Sequence, residues 1–183
     1  MTQAPLLVGT LNAIRHYGEA NPVFSGFVSG VVNNDNILAT YDSSATPASP
    51  FGLYSIVPTL HDPDSKLGNY SVNLSNGTLT ISKTALSVVA DNLSRTYGAA
   101  NPTLTGVITG IQNSDNISAT YATSTTTSSP IGNYNILPTV VDPTSKLGNY
   151  SLTVTNGTLT VSKAPLVVTP ADVSKTYGTP IRR

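Results

Sequence analysis

Cysteine and tryptophan are absent from this chain, and methionine occurs once. Without cysteine there is no disulfide framework and no thiolate metal site. Histidine occurs twice and lysine plus arginine nine times, balanced by nine acidic residues. A neutral chain with no basic cluster has nothing to neutralise a phosphate backbone, so nucleic acid is excluded as a partner. Charged residues make up only 10% of the sequence, against about 25% in an average globular domain. No apolar run approaches the length that spans a bilayer, so membrane insertion is not expected. Met1 to Pro5 lacks the basic and apolar regions of a signal peptide.

Serine, threonine and asparagine take the place of charge, a composition suited to an extracellular or cell-surface protein. They are set in a repeat. Tyr17-Gly18, Tyr97-Gly98 and Tyr177-Gly178 recur at intervals of 97 − 17 = 80 and 177 − 97 = 80 residues. Leu67-Gly68-Asn69-Tyr70 returns as Leu147-Gly148-Asn149-Tyr150, and Asn76-Gly77 as Asn156-Gly157. Roughly half the positions of 4–83 are identical in 84–163, with no insertion, the signature of a tandem array of small folded units. The expected units are 4–83, 84–163 and a truncated third start at 164–183. Gln3-Ala4-Pro5-Leu6 resembles the boundary Lys163-Ala164-Pro165-Leu166, so the chain reads as a stretch of a longer array. No Gly/Ser linker separates the units. Short junctions limit bending, so a rod of modules each about 30 Å across is expected.

Strand signals dominate, and no window sustains a helical period. Strands are expected at the start of each block (Leu6/Val8, Leu86/Val88, Leu166/Val168), at 23–31, 37–42 and 53–60, and at their copies. Tyr70, Val72 and Leu74, then Asn76-Gly77, then Leu79 and Ile81 predict a hairpin closed by a type I′ turn. One short helical turn is expected at 32–37, and a turn at Asp62-Pro63-Asp64-Ser65. The apolar positions are odd in Leu79 and Ile81 but even in Leu86 and Val88. A bulge, kink or twist at the junction would let one continuous segment leave one core and enter the next.

The ordered landmarks Leu86-x-Val88, Tyr97-Gly98, Asn101-Pro102, Asp115-Asn116-Ile117, Gly132-x-Tyr134-x-Ile136, Gly148-Asn149-Tyr150 and Asn156-Gly157-Thr158-Leu159 resemble the MBG domain, YGX type. The first block carries the same landmarks. The resemblance implies a mainly β fold, β-grasp-like or sandwich-like. It also implies display on bacterial cell-surface proteins such as filamentous-haemagglutinin-like adhesins, and a stalk role in which neighbouring repeats of the same chain are the partners. It carries no ligand residue and no cofactor.

The internal copies sort scaffold from site. All nine tyrosines have mates (17/97/177, 41/121, 54/134, 70/150), whereas His16 faces Thr96 and His61 faces Val141. An aromatic face with a polar tip suits both a half-buried scaffold tyrosine and a sugar contact. Tyr41, Tyr54, Tyr121 and Tyr134 are therefore the candidate contacts for host or environmental mucin-like glycans. Tyr-Gly before Asn-Pro predicts a turn with Gly18 and Gly98 at positive φ. A metal on His16 and His61 needs a third ligand. Calcium on Asp62-Pro63-Asp64 loses a carboxylate in the copy, Asp142-Pro143-Thr144. A lysine–asparagine cross-link through Lys66/Lys146 or Lys83/Lys163 lacks a glutamate in both copies, since Glu19 faces Ala99. No nucleophile elbow, P-loop or dinucleotide fingerprint occurs, and no catalytic or metal site is assigned. Residues 164–178 read as a strand with an unpaired edge in a chain expected to be monomeric. They are expected to fray or fold back, with addition to a neighbouring molecule's sheet as the alternative.

Overall fold

A computed structural model describes residues 2–172 and 174–178. The first block contains seven strands: β1 Ala4–Thr10, β2 Ala13–His16, β3 Gly26–Ser29, β4 Leu38–Asp42, β5 Gly52–His61, β6 Tyr70–Ser75 and β7 Gly77–Ser82. The second repeats them as β8 Thr84–Ala90, β9 Leu93–Thr96, β10 Gly106–Thr109, β11 Ser118–Ala122, β12 Gly132–Val141, β13 Tyr150–Thr155 and β14 Gly157–Ser162. Among the described residues the only helical pieces are single 3-10 turns at Leu67–Asn69 and Leu147–Asn149. The fold is mainly β, in two tandem modules.

Each block divides its strands between two sheets, ordered β3-β1-β6 and β2-β7-β5-β4 in the first and β10-β8-β13 and β11-β12-β14-β9 in the second. This is the sandwich-like alternative. β1 lies antiparallel to β3 and parallel to β6; β7 lies antiparallel to β5 and parallel to β2. β5 is ten residues long and serves both ends of the block. Its C-terminal half pairs with β4, and Leu60 packs with Leu6, Val8 and Tyr70. Its N-terminal half pairs with β7, and Ile56 packs with Leu79 and Ile81.

The predicted Asn-Gly hairpin is not formed. β6 and β7 follow one another but pair in different sheets, so Asn76-Gly77 is a crossing between layers, as is Asn156-Gly157. A type I′ turn needs positive φ at both central residues; neither Asn76 nor Gly77 has it. Glycine is required for space instead. A Cβ on Gly77 would lie 2.6 Å from the Leu11 carbonyl oxygen, and one on Gly157 would lie 2.2 Å from that of Asp91. The helical turn expected at 32–37 is also absent. Asn33 and Asn34 both take left-handed φ, 56° and 55°, and close a tight turn through the Asp35 N–H on the Val32 carbonyl.

The strands expected at 37–42 and 53–60 are β4 and β5, and that at 23–31 is the shorter β3. The turn at Asp62–Ser65 is present: the Asp62 carboxylate accepts the backbone N–H groups of Lys66 and Leu67. Those donors hold its pKa below the usual carboxylate value. Asp142 does the same with Leu147 and Lys146, and its pKa is lowered likewise. The phase reversal at the junction is present. Odd positions are buried in β7 and even positions in β8, with Lys83 as the one residue between them. The continuous segment thereby passes from the four-stranded sheet of block 1 to the three-stranded sheet of block 2. Beyond Ser162 the described residues form no strand, and Leu166, Val167 and Val168 are exposed. Val173 and residues 179–183 of the expected third start lie outside the described residues.

Candidate functional site: the joint between the blocks

The sequence boundary at 83/84 is not a boundary in the core. Ile56, Leu79 and Ile81 of block 1 pack in one buried cluster with Leu86, Ile117 and Tyr150 of block 2, and Tyr17 and Ala45 complete it. Each fully buried aliphatic side chain there contributes roughly 1.5–3 kcal/mol, so the joint is cohesive as well as covalent.

Its centre is the Tyr17-Gly18 loop. Gly18 has φ +89° and Gly98 +86°, as the Tyr-Gly turn predicts. Arg15 fastens the loop from behind. Its guanidinium donates to Asn21 Oδ1 at 2.8 Å, to the His16 carbonyl at 3.0 Å and to the Thr46 carbonyl at 2.6 Å. Asn21 Nδ2 donates to the Ala45 carbonyl at 2.7 Å. Arg95 and Asn101 make the same bonds to Thr96, Thr126 and Thr125. A buried cation is tolerated here because its donors are met by oxygen atoms. Burial pulls the Arg15 pKa down, against a smaller opposing pull from Glu19.

So held, the Tyr17 ring meets Tyr150 edge to face, with centroids 5.6 Å apart and planes at 78°. The Tyr17 hydroxyl donates to Asp115 Oδ2 at 3.1 Å, and the Tyr150 hydroxyl donates to the same carboxylate at 2.7 Å. Two tyrosines from two blocks thus share one carboxylate. The Gln112 N–H donates to the Tyr150 hydroxyl at 2.9 Å. Burial, then the bond to Asp115, pushes the Tyr150 pKa up to about 12. Tyr70, its mate, is raised too, mainly by burial.

The rim closes the contact. The Phe51 N–H donates to Asn149 Oδ1 at 3.1 Å, Asn113 Nδ2 to the Pro47 carbonyl at 3.2 Å, and Thr84 Oγ1 to the Tyr17 carbonyl at 2.6 Å. Lys83 Nζ sits 4.8 Å from the Phe51 ring centroid, a cation–π contact.

Of the four candidate glycan tyrosines, Tyr41 and Tyr54 pack against this cluster, and Tyr121 packs against the separate cluster of Ala90, Ile136 and Leu159 in block 2. Tyr41 lines an open cleft of about 590 Å3 with Pro22, Val23, Phe24 and Asp42. Its ring lies on Gly26, where a Cβ would come within 2.3 Å, and Tyr121 lies on Gly106 in the same way. Tyr54 and Tyr134 spend their hydroxyls on the carbonyls of Pro50 and Pro130, each at 2.9 Å. Tyr41 faces Pro58 across the ladder, four residues along β5 from Tyr54, so the two rings form no single platform. The histidines are also apart. His16 lies opposite Ser82 and its Nδ1 is 2.9 Å from Ser82 Oγ. His61 lies at the far end of β5, with Nε2 2.9 Å from Thr40 Oγ1. Among the described residues no group of three His, Asp or Glu side chains is placed to hold a metal ion.

Arg15/Arg95 and the pairing of Tyr17 with Asp115 escaped the sequence reading. The available signal was an arginine and an asparagine kept at the same spacing in both blocks, Arg15/Asn21 and Arg95/Asn101.

The crystal structure of Drosophila N-cadherin EC1-4 aligns with a TM-score of 0.33 and 10% identity, over 85% of this chain and 50% of that chain. The chain thus spans half the length of that structure. No curated protein matches. The sequence profile described as MBG domain (YGX type) matches residues 6–80 and again 86–160. The Tyr-Gly pair at the heart of the joint fits the type's name, and the chain belongs to the MBG domain (YGX type) family, present as two tandem copies.

Proposed function

We propose that this chain is a stalk segment of a bacterial surface adhesin, a spacer that carries a distal binding region away from the cell. Repeats of this family are a structural module typical of surface proteins, not a known enzyme family. No helix among the described residues is long and apolar enough to cross a membrane. The observation that carries the proposal is the joint. A spacer must resist bending, and a core continuous across the boundary supplies that resistance where a linker would not. Surface area agrees: 12030 Å2 exceeds the about 8,400 Å2 expected of a compact monomer of 19.0 kDa. Modules placed end to end, together with the exposed segment 163–172, account for such an excess. Small-angle scattering tests the proposal: a maximum dimension of at least ~60 Å is expected. A near-spherical particle contradicts it.

A second reading is favoured by one observation. The Tyr41 hydroxyl has no hydrogen bond among the described residues, and the ring lines a cleft beside Asp42. A weak glycan contact there would gain avidity by repetition, although Ala122 replaces Asp42 in the second copy. Binding on a broad glycan array that is lost in Tyr41→Ala supports this reading. No signal from the wild-type chain removes it.

A further inference from the structure

The two copies separate frame from rim in the cleft beside Tyr41. The frame recurs: Asn21, Gly26, Thr40 and Tyr41 have identical mates in Asn101, Gly106, Thr120 and Tyr121. The rim does not. Val23, Ser25 and Asp42 face Thr103, Thr105 and Ala122. Residues that hold the strands are common to both blocks, whereas these solvent-facing groups belong to the first alone. Val23 is an aliphatic side chain 97% exposed. Asp42 is exposed, and its Oδ1 accepts the Ser43 N–H at 2.7 Å. Its Oδ2, the Tyr41 hydroxyl and the Ser25 hydroxyl have no hydrogen bond among the described residues. Three groups able to bond a ligand thus stand open around one aliphatic surface.

We infer that this cleft takes the uncharged terminal sugar of a glycan, a hexose or N-acetylhexosamine, and discriminates against sialylated and sulfated ends. The inference rests on the glycan reading of Tyr41 and adds the class of sugar. Its volume of about 590 Å3 lies in the range of small-ligand sites. Charge decides the class. Asp42 is the only charged residue among those lining the cleft. Two basic side chains are bonded to the lining, and both are engaged. Arg15 is buried and spends its guanidinium on Asn21, His16 and Thr46. His61 Nε2 is held 2.9 Å from Thr40 Oγ1. An anionic sugar would therefore meet like charge with no free cation to offset it. A sugar hydroxyl is the matching donor: an ionised carboxylate only accepts, and its bonds from O–H groups are charge-assisted. The Tyr41 and Ser25 hydroxyls can each donate or accept, so they bond the remaining sugar oxygens. The Val23 methyl groups cover the C–H face of the ring. Block 2 keeps the tyrosine and lacks the carboxylate, so the site belongs to block 1.

A glycan array probed with the full chain tests it, together with adhesion to a mucin coat before and after sialidase treatment. Signal is expected on glycans that end in an uncharged hexose or N-acetylhexosamine. It should be about tenfold weaker or less on their sialylated and sulfated counterparts, and sialidase should raise adhesion to the coat. Tyr41→Phe keeps the ring on Gly26 and removes only the hydroxyl. Asp42→Ala copies the second block at that position. Each should weaken binding by about tenfold or more, as for a lost bond to or from a charged or buried group, with the melting curve unchanged. Tyr121→Phe should leave binding as it was. A preference for sialylated, sulfated or free amino sugars overturns the inference and leaves the glycan reading standing. Binding that survives both Tyr41→Phe and Asp42→Ala overturns it too, and places the contact elsewhere on the chain. Silence of the wild-type chain on every glycan removes the inference and the glycan reading together.

Discussion

Tyr17 and Tyr97 are the same residue in two copies, and their surroundings decide what each contributes. Tyr17 is enclosed by Tyr150 and bonded to Asp115; Tyr97 is half exposed. Tyr17→Ala should cost about 3 kcal/mol of unfolding free energy, in the range for a buried aromatic truncated to alanine. Tyr97→Ala should stay within about 0.5 kcal/mol. Urea unfolding of the two variants side by side measures the difference, and equal losses would refute the assignment of Tyr17 to the joint. Tyr150 adds a pH signature. Its pKa rises from 10.0 to about 12 in the folded state, first by burial and then by its bond to Asp115. The folded chain therefore keeps a proton that the unfolded chain releases. That contribution is whole below pH 10.0 and is lost as pH climbs through about 12. Stability measured by circular dichroism should fall across this window, and Tyr150→Phe should flatten the fall. At this scale the sequence disclosed the Tyr-Gly turn, because a positive-φ glycine is a local requirement. It did not disclose that the Tyr17 hydroxyl reaches Asp115, 98 residues away, because no local pattern encodes a contact between copies.

Among the elements, β6 and β7 carry the clearest lesson. Alternating apolar residues on either side of Asn-Gly gave the strands correctly and their pairing incorrectly. β7 found better-buried neighbours in β5 and β2, where Leu79 and Ile81 are enclosed. Val72 and Leu74 face the same way as Leu6 and Val8 but at the sheet's edge, and stay partly exposed. Propensity and period are local, whereas strand order is settled by which face finds a partner layer. The phase reversal at Lys83 was legible because it is written in consecutive residues. Gly77→Ala separates the two accounts of Asn-Gly. A Cβ there meets the Leu11 carbonyl and Thr10 Cγ2, so the variant should lose roughly 1–3 kcal/mol in denaturant unfolding. Replacing Asn76-Gly77 by a D-Pro-Gly turn, which favours a hairpin, should destabilise the chain further; stabilisation would contradict the crossing between sheets.

For the whole molecule, the repeat of 80 residues in sequence and the packing unit in space are offset from each other. The block ends in sequence after Lys83, yet the cluster around Tyr17 and Leu86 lies across that point. The central claim is that this offset makes the joint a piece of core, fixing one block on the other. Residual dipolar couplings of backbone amides in a weakly aligned sample test it most directly. One alignment tensor should fit the amides of 4–83 and 84–163 together. Tyr17→Ala should split that fit in two. Two tensors of different magnitude in the unaltered chain would show blocks that tumble separately and would contradict the account.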